Sequence, residues 1–190
     1  MSDSGTPAHW PFVMFDPPSF KVPQRKVTRV FLHCSAWDGK VIGQQLAETI
    51  NAWHLANGWR GVGYHFLVDN VGGICTGRPL EEQPAAQLGP DQRGNIATIA
   101  IMTNGLWDFQ EAALASTYML CKAIDDAYKL ANTPVTFHGH CEIDPKPCPV
   151  YDYQALLGLV DGKLNGCTPH TAADVATLAR EKAAAQWHHT

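Results

Sequence analysis

Three short segments hold most of the side chains that could do chemistry: Phe31-Leu32-His33-Cys34-Ser35, Gly63-Tyr64-His65-Phe66, and the run from His140 to Pro149. They supply imidazoles, a thiol, a phenol and, at Lys146, an ammonium. His33, His140 and Cys148 form a donor set of two nitrogens and one sulfur, which suits a tetrahedral zinc ion with its fourth position open. An open position separates a catalytic zinc from a closed structural one. Such an ion lowers the pKa of a water and polarises a carbonyl, so hydrolysis of an amide or ester is the natural use. Tyr64 could hydrogen-bond the water or substrate, and Lys146 could stabilise a developing oxyanion.

Positioning these groups requires a sheet. Val27 to Cys34 is a near-continuous apolar run, as expected for a strand covered on both faces. It puts His33 at a C-terminal strand end. Pro134 to His140 reads as a last strand, with His140 at its end. If the two strands are parallel neighbours, their ends meet where loops build sites in α/β folds. Cys148 lies eight residues beyond His140, and Pro145, Pro147 and Pro149 restrict the connecting loop. His138 is a rival ligand, because residues two apart on a strand share a face. Cys34 should face the opposite way to His33, into packing. Glu142 and Asp144 read as solvated loop carboxylates, with orientation of an imidazole as the alternative.

Further elements follow from periodicity. Gln44 to Asn57 reads as a helix with Leu46, Ile50 and Trp53 on its apolar stripe, stopped by Gly58. Gly63 to Asp69 and Ile74 to Arg78 read as a hairpin about Asn70-Val71-Gly72-Gly73. Residues 79 to 95 form a loop without periodicity. Thr98 to Thr103 is another buried strand, and Gln110 to Leu130 the longest helix. Residues 152–164 and 171–187 read as helices. Alternating strands and helices with one tight hairpin predict an α/β fold, a single mixed central sheet flanked by helices. The expected organisation is an extended proline-rich arm over 1–26, a catalytic domain over 27–160 and a helical tail over 161–190.

The composition narrows the partners. The chain has 190 residues, 45% hydrophobic and 17% charged, enough for one domain with a sizeable core. A formal net charge of −4 argues against nucleic acid, whose phosphates call for a surplus of Lys and Arg. No apolar run approaches a membrane span of about 20 residues, so no membrane insertion is expected. The N-terminus lacks the basic and apolar regions of a signal peptide, so synthesis in the cytoplasm without one is expected. Six cysteines at 34, 75, 121, 141, 148 and 167 show neither a compact disulfide framework nor a C-x-x-C pair.

These segments resemble the zinc-dependent N-acetylmuramoyl-L-alanine amidases of the type-2 amidase and peptidoglycan-recognition-protein superfamily, and especially the short phage amidases of the T7 type. The likeness is carried by Val30 to Ala36, by Asn57-Gly58-Trp59 through Gly63-Tyr64-His65-Phe66-Leu67-Val68, by Asn95 with Ile99-Ala100-Ile101, and by His140 to Pro149. It spans about residues 27–157. It implies one zinc per chain held by His33, His140 and Cys148, which selects His140 over His138. It implies Tyr64 and Lys146 as catalytic residues, peptidoglycan as partner, and cleavage of the amide between N-acetylmuramic acid and L-alanine. The implied setting is wall lysis after release or delivery of the protein, as an endolysin or an injected antibacterial effector. A muropeptide-recycling amidase and a non-catalytic peptidoglycan-binding protein are the alternatives. Where the family often carries a Gly-Ala-His-like segment, this chain reads Pro84-Ala85-Ala86-Gln87-Leu88-Gly89 and lacks the histidine.

Overall fold

A computed structural model describes residues 5–164 and 172–187. Its centre is a five-stranded sheet in the order β3-β2-β4-β1-β5. The strands are β1 (Arg29–Cys34), β2 (Phe66–Val68), β3 (Ile74–Thr76), β4 (Thr98–Thr103) and β5 (Thr136–Gly139). β1 pairs in parallel with both β4 and β5, β2 pairs in parallel with β4, and β3 closes the edge antiparallel to β2. This is the mixed sheet expected from the sequence. Every residue of β4 is buried, and β1 is buried from Val30 onward, which explains their unbroken apolar runs.

Alternation sorts the strand residues between two packing layers. Val30, Leu32, Ile99, Ile101, Phe66, Val68 and Phe137 face the larger core. Over them lie α2 (Glu111–Leu130), α3 (Tyr153–Leu157) and α4 (Ala172–Trp187). α2 presents Leu114, Cys121, Ile124 and Tyr128, all buried, at helical spacing. On the other face, α1 (Gln44–Ala56) sets Leu46, Ala47 and Ile50 against Leu67, Cys75 and Met102. Those partners lie on β2, β3 and β4. The helix therefore leaves the ends of β1 and β5 to be covered by loops, and that is where the site forms. Trp53, expected on the buried stripe, is 40% exposed and packs edge-on to Trp37, 4.9 Å between centroids.

The hairpin turn is held by one carboxylate. Asp69 Oδ1 accepts the N–H groups of Val71 and Gly73 at 2.9 and 2.7 Å, and its Oδ2 accepts that of Gly43 at 2.7 Å. Gly72 has φ of +87°, a conformation only glycine adopts without strain.

The region read as a helix over 152–164 differs. Only Tyr153–Leu157 is helical; Gly158 then turns left-handed at φ +56° and the chain makes a small hairpin of β6 (Leu159–Val160) and β7 (Lys163–Leu164) around Asp161-Gly162. Two glycines four residues apart stop the helix after a turn and a half. The expected helix over 171–187 is found at Ala172–Trp187. Cys167 lies outside the described residues.

The proline-rich arm runs along the sheet edge. Met14 bridges Cys75, Phe15 N–H donates to Ile74 O at 2.8 Å, and Thr76 N–H donates to Val13 O at 2.9 Å. Phe15 and Phe20 reach Phe66, and Phe20 also meets Tyr128. Phe20 is buried within the main core. Phe20→Ala is therefore expected to cost about 3 kcal/mol of folding stability, the lower end for a buried aromatic. Urea unfolding measures it; a change under about 0.5 kcal/mol would mean the arm is not part of the cooperative unit.

Candidate active site

The parallel pairing of β1 with β5 puts Leu32 opposite Gly139, so His33 and His140 leave adjacent strand ends. β5 stops at Gly139 and the chain enters a 3-10 turn, His140–Glu142. That turn separates the two candidate histidines. His140 swings over His33, with ring centroids 4.7 Å apart. His138 stays on the strand beside Phe31, bonded to Glu142 Oε2 at 2.6 Å and Thr136 Oγ1 at 2.7 Å.

Cys148 is brought back by its proline-flanked loop. Cys141 N–H donates to Cys148 O at 2.7 Å, and Cys148 N–H donates to Lys146 O at 2.9 Å. The Cys148-Pro149 peptide is cis. His33, His140 and Cys148 each direct one donor atom into a common point, all within 4.8 Å of one another. His33 Nδ1 lies 3.9 Å from Cys148 Sγ. Among the described residues no other group of three such donors converges.

Electrostatics keep both imidazoles neutral. His33 is held well below its usual value, first by burial and then by the nearby His140 and Lys146 charges. His140 is lowered by burial, against the opposing pull of Asp144. The neighbouring Cys34 sulfur and burial push the Cys148 thiol up, so a cation must displace its proton for it to act as thiolate.

Three neighbours were not assigned to the site by the sequence reasoning, although orientation of an imidazole was the alternative reading of Asp144. Asp144, read as a solvated carboxylate, accepts from His140 Nε2 at 2.6 Å, so Nδ1 keeps the lone pair of that ring. Gln87 Oε1 lies 3.0 Å from His33 Nε2 and is buried. Cys34, expected to be only packing, is buried in the main core but also puts its Sγ 3.9 Å from Cys148 Sγ and its N–H 3.4 Å from it. Asp144 had the spacing of an i, i+4 partner as its signal; the Gln87 and Cys34 contacts have none in one dimension.

Tyr64 sits beside His33, ring centroids 5.2 Å apart, and its other side meets His54 at 5.6 Å. Burial first, then the two nearby sulfurs, raise its pKa, so the phenol keeps its proton. Lys146 is exposed on the loop between Asp144 and Cys148. Its charge lowers the pKa of both imidazoles, after the larger effect of burial.

His65 has another task. Its Nδ1 accepts Ala100 N–H at 3.0 Å and its Nε2–H donates to Glu82 O at 3.0 Å, pinning β4 and the start of the 79–96 loop. A proton on Nδ1 would destroy the first bond. Burial, with Arg25 and Arg78 nearby, lowers its pKa to about 3 from 6.5. The unfolded chain then binds a proton that the folded chain refuses. Stability is complete above pH 6.5 and falls as pH drops toward about 3, by about 1.4 kcal/mol per pH unit from this group. Urea midpoints between pH 7 and pH 4 measure it, and His65→Gln should flatten the slope. An unchanged slope in that variant would remove His65 as the cause.

Comparison with known proteins gives the family and the fold. Residues 23–150 match the family model described as N-acetylmuramoyl-L-alanine amidase. The endolysin of Klebsiella phage KP32 is 27% identical over 135 residues, covering 68% of this chain and 84% of that protein. The endolysin of Escherichia phage T7 is 28% identical over 137 residues, covering 68% and 85%. Among solved structures, the N-acetylmuramoyl-L-alanine amidase LysC from Clostridium intestinale URNW superposes with a TM-score of 0.55 at 17% identity, over 76% of this chain and 87% of that one. Drosophila PGRP-LB superposes at 0.52 and 21% identity, over 70% and 80%. These two likenesses concern the fold, whereas the family match covers most of the chain and includes all three converging donors. The chain therefore belongs to the N-acetylmuramoyl-L-alanine amidase family.

Proposed function

We propose that the chain hydrolyses the amide between N-acetylmuramic acid and L-alanine with one zinc ion held by His33, His140 and Cys148. The family membership carries the reaction; the convergence of three donors within 4.8 Å at two parallel strand ends carries the metal. The residues fit zinc by their chemistry. A thiol and two neutral imidazoles make a borderline-soft set, and the second nitrogen of each imidazole already has a hydrogen-bond partner, as ligating histidines require. When bound, zinc supplies a Lewis acid and lowers the pKa of water toward neutrality.

The chain's own groups do the rest. Lys146 brings a compact positive charge toward the scissile carbonyl oxygen as that oxygen gains negative charge. Tyr64, kept protonated, donates a hydrogen bond that orients the attacking water or the substrate; its raised pKa speaks for positioning over proton abstraction. An open cleft of about 500 Å³ beside the 79–96 loop, edged by Arg60, Gln92 and Asn95, offers room and polar groups for a stem peptide.

Peptidoglycan is the partner this reaction requires. Solved relatives include the ectodomain complex of PGRP-LCa and PGRP-LCx bound to tracheal cytotoxin, which supports ligand binding by this fold in that complex. The phage relatives are named endolysins, which favours lysis of intact wall as the biological setting. Among the described residues no helix is long and apolar enough to cross a membrane. The test is zinc content and turbidity loss of purified peptidoglycan measured on one preparation. One zinc per chain with lysis is expected. Zinc without lysis but with activity on soluble muropeptides would favour recycling, and absence of zinc would overturn the metal assignment.

A further inference from the structure

Gln87 makes three side-chain hydrogen bonds from a buried position, and together they leave its amide a single orientation. Its Nε2 lies 3.3 Å from Gly94 O and 3.0 Å from Thr98 Oγ1. A carbonyl oxygen can only accept. The Thr98 hydroxyl spends its own proton on Asn95 O at 3.0 Å, so it too must accept from Gln87. The NH₂ end of the amide is thereby fixed twice, and Oε1 is the atom that faces His33 Nε2 at 3.0 Å. Oε1 cannot donate, so His33 Nε2 must carry the proton. The lone pair is left on Nδ1, the nitrogen that faces Cys148 Sγ.

The backbone of the same segment is also held. Ala86 and Gln87 N–H both donate to Asn95 Oδ1 at 3.1 Å, and Gly94 N–H donates to Leu88 O at 2.7 Å. Ala85 N–H donates to Gly63 O at 3.0 Å, next to Tyr64. One stretch of loop therefore touches the segment before β2 that carries Tyr64 and, two residues later, the imidazole of His33. A neutral histidine at this position could offer only one donor and one acceptor. A glutamine offers one oxygen and two N–H groups, which is the number of partners present here.

We propose that Gln87 is a positioning residue that presets the Nδ1 lone pair of His33 for the metal and couples that ligand to the placement of the 79–96 loop. The proposal rests on the zinc reading for its consequence but not for the tautomer itself. Gln87→Met keeps the length and removes all three bonds. Gln87→Glu keeps the acceptor for His33 and gives up both donations to the loop.

Two readouts test it. In protein stripped of metal, long-range ¹H–¹⁵N correlation of the imidazoles should show His33 as the Nε2–H tautomer in the wild type and a mixture in Gln87→Met. In competition with a chromophoric chelator, Gln87→Met should bind zinc about 10–100-fold more weakly. Gln87→Glu should recover most of that affinity, while KM for muropeptide should be raised in both variants because both give up the two donations to the loop. A wild-type tautomer and wild-type zinc affinity in Gln87→Met would overturn the proposal. A wild type that binds no zinc would overturn the metal reading, while the tautomer measurement would still decide the role of Gln87. Should Gln87→Met fail to fold, Thr98→Ala releases one anchor of the amide and should give a mixed His33 tautomer; an unmixed one would count against the proposal.

Discussion

Cys148→Ser is expected to leave a folded protein that retains no zinc through dialysis and no longer clears peptidoglycan. The two side chains have nearly the same shape, so packing around this half-buried position should hold. The donor atom is what changes. A serine hydroxyl does not ionise near neutral pH, whereas a thiol gives up its proton to a cation. Loss of activity should exceed the ~10–100-fold that outer hydrogen-bonding substitutions cost at metal sites. Stability supplies an independent reading. A ligand that binds only the native state adds RT ln(1 + [L]/Kd), about 4.1 kcal/mol at a thousandfold excess over Kd. Wild type should gain that on zinc addition and Cys148→Ser should gain almost none, while the two metal-stripped proteins unfold together. A variant that still carried one zinc per chain and turned over at the wild-type rate would sink the ligand assignment.

Removing Lys146 should separate chemistry from binding. Lys146→Ala is expected to lower kcat by about 10²–10³-fold, the usual cost of one donor to a developing oxyanion. Zinc content should be unchanged, because the loop that carries Cys148 is fixed by its backbone. Lys146 N–H donates to Asp144 O at 2.7 Å, Cys148 N–H donates to Lys146 O at 2.9 Å, and three prolines stiffen the run. The side chain is exposed, so folding should be insensitive to its loss. KM should move little if the ammonium acts mainly on charge that develops during the reaction. Lys146→Arg should restore activity only in part, because a planar fork does not replace a compact point charge. Single-turnover rates on a defined muropeptide measure all three. A kcat within twofold of wild type for Lys146→Ala would leave Lys146 as an ordinary loop lysine.

The chain order of chemistry could be read in one dimension because the groups lie at ends of strongly patterned elements. Thr98 to Thr103 was expected as a buried strand and is one, residue for residue. The expected helix from Gln110 begins at Glu111 and ends at Leu130. These elements have long runs of consistent burial, so local pattern and tertiary packing agree. Agreement fails where a few atoms decide. Gly158 and Gly162 break a run whose apolar spacing alone reads as helix. The exposure of Trp53 depends on Trp37, which lies in another segment.

The site divides the same way. His33, Tyr64, His140, Lys146 and Cys148 could be named as candidates from the sequence, with the resemblance choosing between His138 and His140. The structure brings the three proposed ligands together and accounts for that choice by the 3-10 turn after Gly139, which ends the strand alternation one residue before His140. Asp144, Gln87 and Cys34 are another matter. Gln87 meets His33 across 54 positions of chain and Cys34 meets Cys148 across 114, through sheet pairing and loop closure. Residue type and spacing report what a side chain can do, because acidity, donor atoms and local backbone preference are properties of the residue and its near neighbours. By itself the sequence therefore determined the chemistry available, the strand ends near which the two histidines lie and the mixed-sheet architecture. Only the tertiary structure decided which nitrogen of each imidazole is left to bind and what holds it, because those outcomes depend on hydrogen-bond partners that meet only when distant segments pack.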